Sequence, residues 1–480
     1  MYAFLVVKYM KFRIYLLMRF KIAMRIRGDI MYTYKTIIYD LDGTLFKTDT
    51  VFIEALREVC LKREIYLQDK EYITRFIGEP MTKICRQIFG KDITDIEVEC
   101  IRGEIRNIEN RIIAQSGVLF EGVVEMLEKL KANGYTLCIC SNGSSQYVNN
   151  VLDTFNIKDK FSSIKSRQEE FTKSQLIKQI LDETKCCSAI IVGDTYNDFQ
   201  AADDTGCISI GVSFGYGCND YEKADFVAHC STDIYNIIMK INSIYRDTTQ
   251  QLIKKKCKSK PLFVGINGVD TSGKSIFTDE LSKYLTKSGF KVQIIHLDDF
   301  HNPSDIRNKE SDPINSYINN AFDLKRVEKE ILEPASLEGI LDKELLLLNL
   351  QTDKFDIKKS YMIDKDTIVL FEGVLLFREP IDKYFDFRIY IDISFEEVIK
   401  RATKRDSAIF GDSVIEKYSR KYIPIQKLYI DKYSPKQKSN IVINNEDYMK
   451  PGIVYKDQIG NVKTERIRFE SIESKHLDMI

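Results

Sequence analysis

Short apolar runs alternate along this chain with longer stretches in which apolar residues recur every three or four positions. Between Tyr34 and about Ile244 the runs 35–39, 135–140, 188–192 and 207–212 predict strands, and the periodic stretches 121–132, 144–154 and 173–183 predict helices. Such alternation predicts a parallel sheet with helices on both faces. Residues 47–115 keep a helical period but contain no strand-like run. Placed directly after the first strand, they predict a helical cap over the crevice at the carboxyl ends of the strands. A second cycle has strand-like runs at 261–266, 291–297, 367–371 and 387–392, with helices expected near 274–287, 324–332 and 394–404. The polar, lysine-rich stretch 246–260 between the cycles reads as a linker. Beyond Pro451 the pattern weakens into a charged tail.

These readings predict an α/β chain of two doubly wound parallel-sheet domains, the first with a helical cap insertion at about 47–115. The expected division is an extension over 1–31, a domain over 32–245, the linker 246–260, a second domain over 261–450 and the tail 451–480. A length of 480 residues suits two cores. The 71 basic and 71 acidic residues cancel, so no general electrostatic drive toward nucleic acid or anionic membrane is expected. The 11 cysteines lack zinc-site spacing, and Cys138, Cys140 and Cys207 lie in strand-like runs as small hydrophobes, which points to a reducing, cytoplasmic compartment. Residues 1–31 carry seven Lys or Arg among apolar residues, too many for a spanning helix. They read either as a basic membrane-surface segment or as a stretch ahead of a start at Met31, and are set aside.

Each half carries a cluster of phosphate chemistry. Asp40 and Asp42 end the first strand, and their two-residue spacing aims both carboxylates to one side before Gly43 and Thr44 turn the chain. Crowded carboxylates call for a cation, most simply Mg²⁺. One can attack phosphorus and the other can serve as acid and base. Ser141 and Asn142, after the run 137–140, suit phosphoryl oxygens, as does Thr44. Lys173, or Lys165 in its place, can offset phosphoryl charge. Asp194 and Asp198 follow the run 190–192 as further metal ligands.

In this order the motifs resemble the haloacid dehalogenase superfamily over about residues 34–240. The resemblance implies Asp40 as nucleophile, Asp42 as acid/base, Ser141 and Lys173 as phosphate binders, and Asp40, Asp42, Asp194 and Asp198 around the metal. The run from Ala201 through Gly217 resembles the phosphoglycolate phosphatase branch.

In the second half, Gly268-Val269-Asp270-Thr271-Ser272-Gly273-Lys274-Ser275 follows a strand-like run. Its glycines let backbone N–H groups surround phosphates, Lys274 reaches the terminal phosphates and the Ser275 hydroxyl suits Mg²⁺. Asp298 and Glu372 each sit at the end of a strand-like run, where an acid can serve the metal or take the proton of an attacking hydroxyl. Arg401, Lys404 and Arg405 on one expected helix suit a basic lid. This half resembles the uridine kinase-like family over about residues 258–450, implying a P-loop kinase fold, Asp298 as the catalytic aspartate, Glu372 as metal ligand, Arg405 in the lid and ATP as phosphoryl donor. The loop departs from the family pattern at Asp270-Thr271.

The expected function is a bifunctional enzyme: Mg²⁺-dependent hydrolysis of a small phosphomonoester, and ATP-dependent phosphorylation of a hydroxyl on a nucleoside-like molecule. A phosphatase-like domain that senses a metabolite and regulates the kinase is the alternative. Neither nucleic acid nor stable membrane insertion is expected.

Overall fold

The computed structural model describes residues 34–456 and 462–464, apart from 68, 75–76, 78–80, 169, 412 and 449–450. The extension 1–31 and most of the tail lie outside the described residues. Contacts group the described chain into two compact units that divide at Met239/Lys240. Among the described residues no helix is long and apolar enough to cross a membrane.

In the first unit, β1 (Thr36–Tyr39), β2 (Thr136–Cys140), β3 (Phe161–Lys165), β4 (Ile190–Gly193), β5 (Ile208–Val212) and β6 (Phe226–Ala228) form one sheet in the order β3-β2-β1-β4-β5-β6. All its pairings are parallel. The chain winds outward from β1 to β3, then crosses back to lay β4 on the other side of β1. Crevices at such reversals hold ligands, and Asp40 and Asp194 follow the two strands that flank this one. Every residue of β1 is buried, as a strand covered on both faces requires. Ile38, Cys138 and Ile191 from three adjacent strands pack against Leu176, Ile177 and Ile180 of the helix Lys173–Glu183. The edge strands β3 and β6 were not foreseen. β3 contains Ser162-Ser163 and β6 has three residues, so neither forms a clear apolar run.

The expected cap comprises the helices Asp49–Leu61, Lys70–Thr74, Met81–Ile88 and Asp95–Ser116. The last opens on a capping box of Thr94 and Glu97, worth about 1 kcal/mol. It buries the stripe Val98, Ile101, Ile105, Ile108 and Ile112.

In the second unit, β7 (Leu262–Gly268), β8 (Lys291–His296), β9 (Leu341–Asn349), β10 (Lys354–Ile363), β11 (Thr367–Gly373), β12 (Phe387–Asp392), β13 (Ile441–Asn444), β14 (Gly452–Lys456) and β15 (Val462–Thr464) form two sheets. The larger runs β15-β14-β13-β12-β7-β11-β8. It is parallel from β8 to β13, but β14 and β15 add antiparallel strands. The sheet is therefore parallel through its core, as the doubly wound reading expects, with an antiparallel edge that the sequence reading did not include. β9 and β10 form a separate antiparallel hairpin that was not foreseen. The helix expected over 324–332 runs on as Leu324–Val327, a π-turn and Glu333–Glu338. The stretch 246–260, expected as a linker, contains the helix Arg246–Lys255, which follows a π-turn at Ile241–Tyr245. Thr248, Thr249 and Leu252 are buried along it, so its lysines occupy the outer face of an amphipathic helix.

Candidate active sites

The first site begins where β1 stops. The Asp40 N–H donates to the Val192 carbonyl at 2.8 Å, tying the strand end to β4. Gly43 then turns at φ +73°, and a Cβ there would stand 2.1 Å from Asp194 Oδ2. Only glycine meets both demands. Asp194 follows β4. Asp198 lies on the next helix, where its Oδ2 accepts from the N–H and hydroxyl of Thr195 at 3.1 and 2.8 Å. Lys173 is the first residue of a helix capped by Thr172 and Gln175. Its Nζ lies 2.6 Å from Asp40 Oδ1 and 2.5 Å from Asp198 Oδ1.

Asp40, Asp194 and Asp198 are buried and offer oxygens within 4.8 Å of one another. Three carboxylates against one ammonium leave the cluster short of positive charge. Burial pushes Asp40 above the usual carboxylate range against the pull of Lys173, and Asp198, Asp42 and Asp194 push the same way. Burial and Asp198 lift Asp194 to about 7, although the Tyr216 N–H donates to it. Burial opposes the charge on Lys173, but Asp198 and Asp40 hold its pKa well above the ordinary value. Asp194 Oδ1 is buried with no hydrogen-bond partner. The donor set and its charge fit a hard divalent cation.

Asp42 stands apart from these three. Its Oδ1 accepts from Thr48 Oγ1 at 2.6 Å and from the Tyr147 hydroxyl at 2.7 Å. Burial raises its pKa against both hydrogen bonds. Ser141 is buried, its Oγ accepting from the Gly143 N–H at 3.0 Å. The Thr44 hydroxyl is buried without a partner, and Asn142 lines the cavity above. Lys165 pairs with Glu183 instead. The cavity holds about 780 Å³, and the cap helix Asp95–Ser116 contributes Arg102, Arg106 and Glu109 to its wall. Burial, with Asp42 nearby, raises Glu109 to about 8. Sequence reading missed Thr48, Tyr147, Glu109 and the two arginines. Only Glu109 left a signal, an acid one helical turn from both Ile105 and Ile112, on the apolar stripe.

The second site surrounds the loop Gly268–Ser275 between β7 and the helix Lys274–Lys287. Gly273 takes φ +90° at the start of that helix. Thr271 takes φ +56°, a left-handed conformation that costs a β-branched residue about 1–2 kcal/mol. Its N–H donates to its neighbour Asp270 Oδ1 at 2.9 Å. The Lys274 ammonium is folded back on the Val269 carbonyl at 2.8 Å. At the end of β11, Glu372 is registered between Ile266 of β7 and His296 of β8. Its Oε1 accepts from Ser275 Oγ at 3.1 Å and lies 2.7 Å from His296 Nδ1. Burial pushes Glu372 up, but His296, Lys274 and Ser275 outweigh it and hold the carboxyl below its ordinary value.

Asp298 follows β8 and faces a cavity of about 370 Å³ shared with Asp270, Tyr317, Arg405 and Tyr422. It touches solvent inside the walls of this cavity, and partial desolvation raises its pKa against the pull of His301. Arg405 pairs with Asp406 at 2.7 Å and donates to the Tyr418 hydroxyl at 3.0 Å. Tyr418 in turn donates to Asp270 Oδ2 at 2.8 Å. The arginine therefore reaches the phosphate loop through one tyrosine, a link that spacing does not reveal.

Residues 37–212 match the family model of the haloacid dehalogenase-like hydrolases, and residues 263–446 match that of the phosphoribulokinase / uridine kinase family. The first half is similar to a 5'-nucleotidase of Pseudomonas aeruginosa, 25% identical over 43% of this chain and 95% of that protein. It is also similar to a phosphoglycolate phosphatase of Vibrio parahaemolyticus, 25% identical over 42% of this chain and 96% of that one. The second half is similar to the structure of a possible uridine kinase from Bacillus stearothermophilus, with 20% identity, TM-score 0.34 and coverage of 41% of this chain and 95% of that one. The chain thus fuses a haloacid dehalogenase-like phosphatase domain to a uridine kinase-like domain.

Proposed function

We propose that the chain is a bifunctional phosphate-transfer enzyme whose two domains each carry out a complete reaction. In the first, the Asp40 carboxylate attacks the phosphorus of a small phosphomonoester. Asp42 gives a proton to the departing oxygen, leaving an aspartyl phosphate on Asp40. Asp42 then takes a proton from water as its oxygen attacks that phosphorus, freeing phosphate and Asp40. The observation that carries this reading is the divergence of the two aspartates. Asp40 sits in the charged cluster with Lys173, while Asp42, two residues on, is held outside it by hydrogen bonds from Tyr147 and Thr48. A carboxylate paired with a lysine, beside a second acid held separately by two hydroxyl groups, suits these two roles. Asp40, Asp194 and Asp198 would hold Mg²⁺, which when bound neutralises charge on phosphoryl oxygens. Thr44, Ser141 and Asn142 bind those oxygens. Arg102 and Arg106 on the wall suit a substrate with a second anionic group, as the phosphoglycolate phosphatase relatives suggest.

In the second domain, Asp298 accepts the proton of an acceptor hydroxyl as its oxygen attacks the γ-phosphorus of ATP and ADP departs. The N–H groups of the loop 268–275 and Lys274 receive the phosphates, Ser275 and Glu372 would hold Mg²⁺, and Arg405 meets the migrating phosphoryl group. Tyr317 and Tyr422, with rings 5.8 Å apart in the acceptor cavity, suit a nucleoside-like acceptor.

Acid quench during phosphatase turnover, followed by peptide mass spectrometry, tests the first half. A phosphoryl adduct is expected on Asp40, and an adduct elsewhere or none at all contradicts the mechanism. Transfer of label from γ-labelled ATP across a panel of nucleosides and other alcohols tests the second, with no transfer to any hydroxyl as the contrary result.

A further inference from the structure

Glu109 stands on the cap helix Asp95–Ser116, on the face that carries the buried Ile105 and Ile112. It is only 8% exposed, yet it lines the cavity shared with Asp40, Asp42 and Lys173. Among the described residues it makes neither a hydrogen bond nor an ion pair. A buried carboxyl without a partner is destabilising, and a ligand group that meets it from the cavity removes the penalty. Arg106 precedes it by three positions, so the two side chains share one face of the helix. Arg106 likewise bonds to no described residue. Burial lowers its pKa, and Arg102 and Arg167 on the same wall push the same way.

The neighbours of Glu109 fix which part of a substrate it meets. Burial opposes its charge, and Asp42 adds to that. Tyr147, which donates to Asp42 Oδ1 at 2.7 Å, feels Glu109 in turn. Asp42 faces the departing oxygen in the mechanism above, so Glu109 meets the alcohol part of the substrate and not the phosphoryl group. Its proton is held to about pH 8. At neutral pH the carboxyl therefore donates one hydrogen bond and accepts another, the complement of a hydroxyl. Arg102, Arg106 and Arg167 on the same wall disfavour an ammonium there. The cavity, at about 780 Å³, leaves room for several carbons beyond the phosphoryl group.

We propose that Glu109 is a specificity-determining residue that hydrogen-bonds a free hydroxyl on the alcohol part of the substrate, while Arg106 holds an anionic group beside it. The substrate class is then a phosphorylated hydroxy acid. The inference rests on the reading of the first domain as a phosphomonoesterase. It separates the preferred substrate from phosphoglycolate, which has no free hydroxyl.

Steady-state hydrolysis by the full chain with Mg²⁺ tests this on 3-phosphoglycerate, 6-phosphogluconate, 2-phosphoglycolate and 3-phosphooxypropionate. The last two lack a free hydroxyl, and 3-phosphooxypropionate differs from 3-phosphoglycerate in nothing else. Hydrolysis of p-nitrophenyl phosphate reports whether the domain is a phosphatase at all. For at least one hydroxy acid, kcat/KM should exceed that of the hydroxyl-free compounds about tenfold or more. Glu109→Ala should lower this ratio about tenfold, and Glu109→Gln, which keeps a donor and an acceptor, should retain most of it. Arg106→Met should weaken turnover of all four acids and leave their ratio in place. A wild-type chain that hydrolyses p-nitrophenyl phosphate without preferring a hydroxy acid would overturn the inference and leave the phosphatase standing, and that comparison needs no variant to fold. An unchanged ratio in Glu109→Ala would do the same. A wild-type chain that hydrolyses none of these compounds would sink the phosphatase reading and this inference together.

Discussion

The two sites use the same device, acids at the tips of neighbouring parallel strands, but place their lysines differently. In the first, Lys173 is bound to Asp40 and Asp198. In the second, Lys274 rests on a backbone carbonyl, while the buried Glu372 is satisfied by Ser275 and His296. On the proposed mechanism the first site's attacking group is its own carboxylate, which a built-in cation restrains before substrate arrives. A site that receives a highly charged ligand instead keeps its cation free of acids and lets the ligand's phosphates claim it. The glycines follow this division. Gly43 makes room for Asp194, whereas Gly273 takes φ +90° where the loop enters its helix.

Substitutions can sharpen or break this contrast. The largest effect is expected from Lys274→Ala, with ATP-dependent transfer falling about 10³-fold and phosphomonoester hydrolysis unchanged, read in parallel assays. Equal losses would mean that the sites are not independent. Tyr147→Phe removes a hydrogen bond that favours the charged form of Asp42, so hydrolysis should fall about tenfold and its rate profile should shift to higher pH. An unmoved profile would free Asp42 from the acid/base role. In the second site, His296→Asn removes the neighbour that most lowers Glu372. Kinase activity should fall a few-fold, mostly at low pH, where a carboxyl of higher pKa takes up a proton. A loss equal at all pH values would assign His296 to packing alone.

Stability should depend on pH as well. The folded chain holds the Glu109 proton up to about pH 8, while an unfolded chain releases it near 4.5. Between these values the native state binds more protons, so the stabilising contribution is complete below about pH 4.5 and is lost as pH rises through 8. The slope is at most about 1.4 kcal/mol per pH unit. Glu109→Gln should flatten the thermal-melt midpoint against pH over this window, and an unaltered slope would show that Glu109 ionises normally.

Much of this contrast was legible in the sequence, because an acid that follows an apolar run marks a strand tip without knowledge of its neighbours. Asp40, Asp194, Asp298 and Glu372 were all placed this way. Partners brought in from afar were not legible. Tyr147 meets Asp42 across 105 positions, and Tyr418 meets Asp270 across 148. The hairpin β9–β10 escaped because the run Leu345–Leu348 masks its alternation and exposed lysines crowd β10. The lysines of 246–260 suggested a linker because their charge outweighed the helical stripe of Thr248, Thr249 and Leu252.

The central claim is that one chain carries two separate phosphate chemistries, and Asp40→Asn assayed for both activities in one preparation tests it most directly. Hydrolysis should fall by roughly 10³-fold or more while ATP-dependent transfer holds its wild-type rate. A variant that loses both, or keeps both, would contradict the account.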